Sequence, residues 1–271
     1  MKIQHWVIPG AICLALSSAG GFALADNSVC AGLPSQSNLQ AALDSAVAQS
    51  NGGLGFNMWG SLVATDGTVC AVAFSGNKFT DQWLGSRVIS AQKANTANAF
   101  SLGTDANMPG GSVAPHGLAL STANLFSAVQ PGGTLYGLQH SNPVDPEVAY
   151  KGPANQFGTK NDPLVGERVG GVNVFGGGLA LFAGGGKRVG GVGVSGDTSC
   201  ADHMIAWRLR HNLNLDQLKG VGGVSGDKDR PDNIVYDITP NPSGGTGNST
   251  GGFGHPRCIN TGDQTALPAV Q

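Results

Sequence analysis

Charge is scarce in this sequence. Asp, Glu, Lys and Arg make up 12% of the 271 residues, about half the share of an ordinary soluble domain. The formal net charge is −2 and no basic cluster is present, which argues against nucleic acid as a partner and leaves no polybasic membrane anchor. HExxH and CxxC are also missing, and the single Gly-x-Ser-x-Gly, Gly247 to Gly251, falls in the Gly/Pro/Ser-rich tail rather than between a strand and a helix. This argues against a zinc hydrolase, a thioredoxin-like redox motif and an α/β-hydrolase nucleophile elbow. Beyond the N-terminal leader, no run is long and apolar enough to span a bilayer.

Glycine is in excess, at 44 residues with 14 prolines. That is short of an unstructured low-complexity chain and points to a folded protein with many tight turns. Residues 1–25 have Lys2, an apolar run from Val7 to Leu16, and Ala23 and Ala25 around Leu24. This is the pattern of a secretory signal peptide cleaved before Asp26, so a periplasmic or secreted product is expected. Cys13 leaves with the signal. Cys30, Cys70, Cys200 and Cys258 remain, an even number bound for an oxidising compartment, and two disulfides of unassigned pairing are predicted. For Cys70, inside an apolar run, a buried free thiol is the alternative.

Leu39, Ala42, Leu43, Ala46 and Val47 repeat at helical spacing, with Ser37 and Gln40 placed as a capping box. Phe56–Thr65 and Thr68–Phe74 are apolar runs joined by Asp66-Gly67, which predicts a hairpin. Ser86–Phe100 predicts a second helix with Ile89, Lys93, Thr96, Ala97 and Phe100 on one face. A lysine in such a stripe ordinarily snorkels along its edge. Residues 103–169 form a loop-rich insertion carrying His116 and His140, with a short helix near Ser121–Val129 and a strand near Thr134–Gln139; loops of this length are disproportionately functional. RVGGVNVF (168–175), LALFA (179–183) and RVGGVGVS (188–195) read as an antiparallel meander. A helix near Asp202–Arg210 follows, capped by Thr198 or Ser199, with His203, Trp207 and His211 on one side. Asn233–Ile238 reads as a last strand, and 240–271 as a Gly/Pro/Ser-rich tail. The order gives an α+β fold, an antiparallel sheet flanked by helices. Gly191-x-Gly193-x-x-Gly196 falls inside a strand rather than in the turn after one, which argues against a dinucleotide site. Asp227-x-Asp229-x-x-Asp232 lacks the Gly and Glu of a calcium loop and reads as a solvated turn.

Two segments carry a resemblance. Ala91-Gln-Lys93-Ala94-Asn-Thr96-Ala97 looks like the AxxKAxTA signature of the GlcG/HbpS family, and Gly170-Gly171-Val-Asn-Val followed by Val189–Gly196, Asp202 and Ala206 is similar to that family's second motif. Asn173 stands where the family has proline. The resemblance covers about 35–103 and 168–210, and implies a single GlcG/HbpS-like domain over 26–239 with profilin-like layering, a homo-oligomer, and haem as ligand. A haem site needs an apolar slot, an axial donor and cations for the propionates. His140 and His203 are the candidate iron ligands. Lys93, Thr96, Arg87 and Arg168 are the candidate cofactor-binding residues, with Arg188 and Arg208 as further cations. A haem-degrading or peroxidase-like enzyme is the alternative function, and a non-haem small-ligand sensing or interaction module is another.

Overall fold

The computed structural model describes residues 29–245 and 247–271; the signal peptide expected at 1–25 lies outside them. The first helix, α1 (Gln36–Val47), starts slightly earlier than its capping pattern suggested. Its cap is Ser35, whose side chain accepts from the Asn38 N–H, and Ser37 sits inside the first turn. The hairpin forms as expected, with β1 (Trp59–Ala64) and β2 (Val69–Phe74) around Asp66-Gly67. The second helix, α2 (Ser86–Ala99), is followed by the long insertion. There the segment expected to be one helix forms two 3-10 turns, Thr122–Leu125 and Ser127–Val129. The strand expected at 134–139 is a series of turns whose backbone groups bond locally, as in Leu138 N–H to Leu135 O at 3.0 Å. One helical turn, α3 (Pro146–Ala149), lies further on, capped by Asp145.

The chain returns to the sheet through β3 (Gly178–Ala183) and β4 (Lys187–Ser195), then α4 (Ser199–Asn212), whose cap is Thr198. Residues 168–175 are not the first strand of a meander. Gly170 and Gly171 adopt φ of 66° and 76°, which breaks a ladder, and only isolated bridges remain, Thr68 with Arg168 and Val144 with Gly170. The sheet order is β2-β1-β4-β3, antiparallel throughout. Of the last expected strand, Ile238 pairs as part of β5 (Ile238–Thr239) with β6 (Asn248–Ser249), and Val235 makes an isolated parallel bridge to Gly254.

Strand alternation sends Leu62, Val192 and Val194 toward α1 and α4, where they pack with Leu39, Leu43, Met204 and Trp207. The other face takes α2, with Trp59, Val63, Val72, Val88, Ala91 and Ala94 in contact. Two clamps close this core. From the insertion, buried Asp162 pairs with Arg87 of α2, whose guanidinium lies 3.7 Å from the Phe157 ring centre. From the tail, Leu267 and Val270 enter the α4 side, and Pro268 O accepts from the Trp207 indole at 2.9 Å. The disulfides are Cys30–Cys70 and Cys200–Cys258, so Cys70 is not a free thiol. No helix among the described residues is long and apolar enough to cross a membrane.

The literal GxGxxG is a packing surface. A Cβ at Gly191 or Gly193 would come to 2.2 Å from Ala94 O or 1.9 Å from Ser90 O, far inside van der Waals contact, so these glycines let the α2 backbone rest directly on β4. Gly193→Ala is therefore expected to destabilise the fold by about 2–3 kcal/mol through overpacking. Gly110→Ala, where a Cβ meets nothing within 4 Å, should stay within about 0.5 kcal/mol of wild type. Urea unfolding midpoints check both, and equal effects would contradict the packing.

Candidate functional site

Where α2, the end of β4 and the start of α4 converge, Lys93 is wholly buried, and its ammonium donates to Asp202 Oδ2 at 2.7 Å and to Val194 O at 3.0 Å. The Phe175 ring centre is 4.5 Å from Nζ. Complete burial is tolerated because a partner carboxylate waits inside, which is why Lys93 does not snorkel. Burial still pushes the Lys93 amine down and the Asp202 carboxyl up, the latter to about 6, against the pull of each on the other. The cation passes through a gap that only glycine leaves open. Gly177 has φ +115°, and a Cβ there would strike Val194 O and approach Lys93 Nζ and Asp202 Cβ to 3.0 Å. Asp202 Oδ1 accepts from Asp197 N at 2.9 Å, and the Asp197 carboxylate accepts from Leu54 N and Phe56 N.

Thr96 Oγ1 donates to Gln92 O and accepts from Asn173 N at 3.0 Å. The proline expected from the family pattern at 173 could not donate that bond. Two further pairs lie near α4. Ser199 Oγ and His255 Nε2 are 2.7 Å apart, and His255 Nδ1 lies 2.6 Å from Pro256 O. His203 Nε2 is 3.2 Å from Asn233 Oδ1, while its buried Nδ1 has no partner. Asp232, read from the sequence as part of a solvated turn, is instead fully buried on Arg210, with oxygens at 2.6 and 2.9 Å.

Lys93, Thr96 and His203 are thus all buried, each on partners of its own, and the other candidates lie elsewhere. Arg87 is spent on Asp162 and Ala149 O, Arg188 on Asn98, and Arg208 on Ser50 O and Asn51. Arg168 is exposed and pairs with Asp66. It lines a cleft of about 540 Å³ with Val29, Val148 and Val165, and with the carboxylates of Asp66, Asp145 and Glu167. His140 is exposed in the insertion, as is His116. Sequence reasoning missed Phe175, Ser199 and His255. His255 lies in a glycine-rich tail whose spacing carries no signal, and only its closeness to Cys258 hinted that it is held to the body.

A family model described as haem-degrading protein HbpS-like matches residues 36–209. The chain belongs to the HbpS-like family. No curated protein matches it significantly. Among solved structures, Klebsiella pneumoniae protein ORFY is 23% identical, the alignment covering 65% of this chain and 86% of that one at a TM-score of 0.41. A PduOC:heme complex is 22% identical over 67% and 94% of the two chains, at a TM-score of 0.43. In this HbpS-like chain the two sequence motifs touch: Lys93 belongs to the first, and its acceptors Val194 and Asp202 to the second.

Burial depresses the His203 imidazole to about 3 and that of His255 to about 4, against an unfolded value near 6.5. The stability these neutral rings permit is complete above about pH 6.5 and is lost as pH falls toward the folded values. Asp202 acts oppositely: between about pH 3.8 and 6 the folded carboxyl keeps a proton that the unfolded one releases, so its contribution fades as pH rises. Two rings outweigh one carboxyl. Going from pH 7 to 5 is expected to cost about 2–3 kcal/mol at about 1.4 kcal/mol per unit, and His255→Gln should lose roughly one proton of that slope. Urea midpoints at pH 5, 6 and 7 check this; a midpoint that rises on acidification would contradict it.

Proposed function

We propose that this is an exported haem-binding protein acting in haem or iron handling or sensing. The observation that carries the reading is the family match across residues 36–209. Two disulfides support an extracytoplasmic location.

Haem needs groups that are free to meet it. Lys93, Thr96 and Arg87 are committed to buried partners, and His203, held by Asn233 through Nε2, is wholly buried, so in this conformation they would shape the scaffold under the ligand rather than touch it. Arg168 and His140 are accessible, and the Val144–Gly170 bridge joins the segments that carry them. We place the ligand in the cleft at Arg168, whose volume lies within the usual range for small-molecule sites. Arg168 would meet a propionate in place of Asp66, Val29, Val148 and Val165 would offer the apolar wall, and His140, outside the cleft's own lining, would be the residue that holds the iron. Bound haem supplies an iron centre able to coordinate a further ligand. The homo-oligomer belongs to the same proposal; exposed Phe56 and Trp83, edge to face at 5.4 Å, are apolar surface suited to a second copy.

The family description itself favours a second reading, in which bound haem is degraded. Hemin titration of the mature chain is expected to give a Soret shift that saturates at a fixed stoichiometry, on material that light scattering finds to be multimeric. His140→Ala should weaken binding at least about tenfold, as loss of a metal ligand or its support commonly does. A flat titration of folded protein would remove the haem reading and leave a non-haem ligand, and unaltered binding by His140→Ala would remove this site. Iron release with ascorbate above a haem–albumin control would favour degradation over binding.

A further inference from the structure

The tail is fastened to α4 by Cys200–Cys258, and a third group stands beside that bond. One ring nitrogen of His255 and the two sulfurs all lie within 4.8 Å of one another. We propose that, once this disulfide is reduced, Cys200, Cys258 and His255 form a binding site for a thiophilic d10 cation such as Zn²⁺, so that a metal replaces the covalent bond as the staple of the tail. This is independent of the haem reading and uses none of the residues assigned to it.

Two thiolates and an imidazole are the donor set such cations select, with metal–sulfur distances of about 2.3 Å and metal–nitrogen distances of about 2.0 Å. Donors within 4.8 Å of one another can converge on one ion once the sulfurs separate. The surroundings hold them for it. Cys200 is fully buried at the second position of α4, and its N–H donates to Cys258 Sγ at 3.1 Å. Cys258 N donates to Thr261 Oγ1 at 2.9 Å, and the turn closes through Thr261 Oγ1 to Cys258 O. The His255 ring packs 4.9 Å from the Phe126 ring centre, and its backbone N–H is fixed on Val235 O. When one ring nitrogen meets a metal, the other keeps its bond to Ser199 or Pro256 O, which sets the tautomer and the ring plane. His255 also lines a pocket of about 300 Å³ with Tyr236, Ile238, Pro240 and Arg257, giving an ion a path from solvent.

The chemistry balances with a dithiol as reductant. A thiolate of the reductant attacks one sulfur of Cys200–Cys258, the second displaces it from the mixed disulfide, and two electrons and two protons pass to the protein as the reductant becomes a disulfide. Binding M²⁺ then releases the two thiol protons. The closed disulfide has no free thiolate and offers no site.

The test uses the mature chain, Co²⁺ as spectroscopic probe and anaerobic conditions, with far-UV circular dichroism to follow the fold. After reduction by a phosphine, one equivalent of Co²⁺ is expected to give thiolate charge-transfer and tetrahedral ligand-field bands that Zn²⁺ abolishes. The oxidised chain should give none. Cys200→Ser/Cys258→Ser, which keeps the Cys30 and Cys70 thiols, should also give none, and His255→Gln should bind at least about tenfold more weakly. X-ray absorption of the Zn²⁺-loaded wild type should show two sulfur ligands and at least one imidazole, which decides the matter even where a variant does not fold. Equal binding by the oxidised chain, retention of the bands in the double serine variant, a sulfur-only shell, or a reduced chain that unfolds and is not restored by metal would each overturn the proposal.

Discussion

The buried contact between Lys93 and Asp202 is the constraint on which the rest of the structure turns. Helix α2 lies on one face of the sheet and α4 on the other, and this pair joins them around the end of β4, past a residue that has to be glycine. Removing either partner would leave a charge in a site without water, a loss of about 3–5 kcal/mol. The surrounding sequence follows from that demand. Gly191 and Gly193 bring α2 close enough to β4 for the lysine to reach Val194 O, and Asp197 ties the turn before α4 to the chain entering β1.

The insertion and the segment that follows α4 serve the same end. Asp162 of the insertion neutralises Arg87 on α2, and Asp232 neutralises Arg210 on α4. In a chain so poor in charge, much of the fold's electrostatics is thus spent inside it. Of the candidate ligand-binding residues named from the sequence, Arg168 and His140 stay exposed, and Arg168 lines a cleft.

Helices α1, α2 and α4 and the hairpin were legible in the sequence because they rest on local periodicity and turn chemistry, and the α4 cap was narrowed to Thr198 or Ser199. The antiparallel sheet was legible in kind but not in order, since glycines at positive φ ended the run at 168–175 before it could join a ladder. Lys93 was singled out correctly for its place in an apolar stripe, yet its role could not be read, because Asp202 is 109 residues away. The same limit hid His255, which is held 56 residues from Ser199, and misassigned Asp232, whose neighbours in sequence are charged but whose neighbours in space are not solvent. Arg87, Arg188 and Arg208, named as candidate cations because charge is scarce, are engaged with protein partners, since a rare charge in a glycine-rich core is as apt to be a structural pair as a ligand contact.

The central claim is that Lys93 and Asp202 act as one unit joining the layers. A double-mutant cycle of Lys93→Met, Asp202→Leu and the pair, followed by urea unfolding, measures it most directly. Each single replacement is expected to cost about 3–5 kcal/mol and the double replacement well under their sum, with a coupling of at least about 2 kcal/mol. Additive losses, or single variants as stable as wild type, would contradict the account.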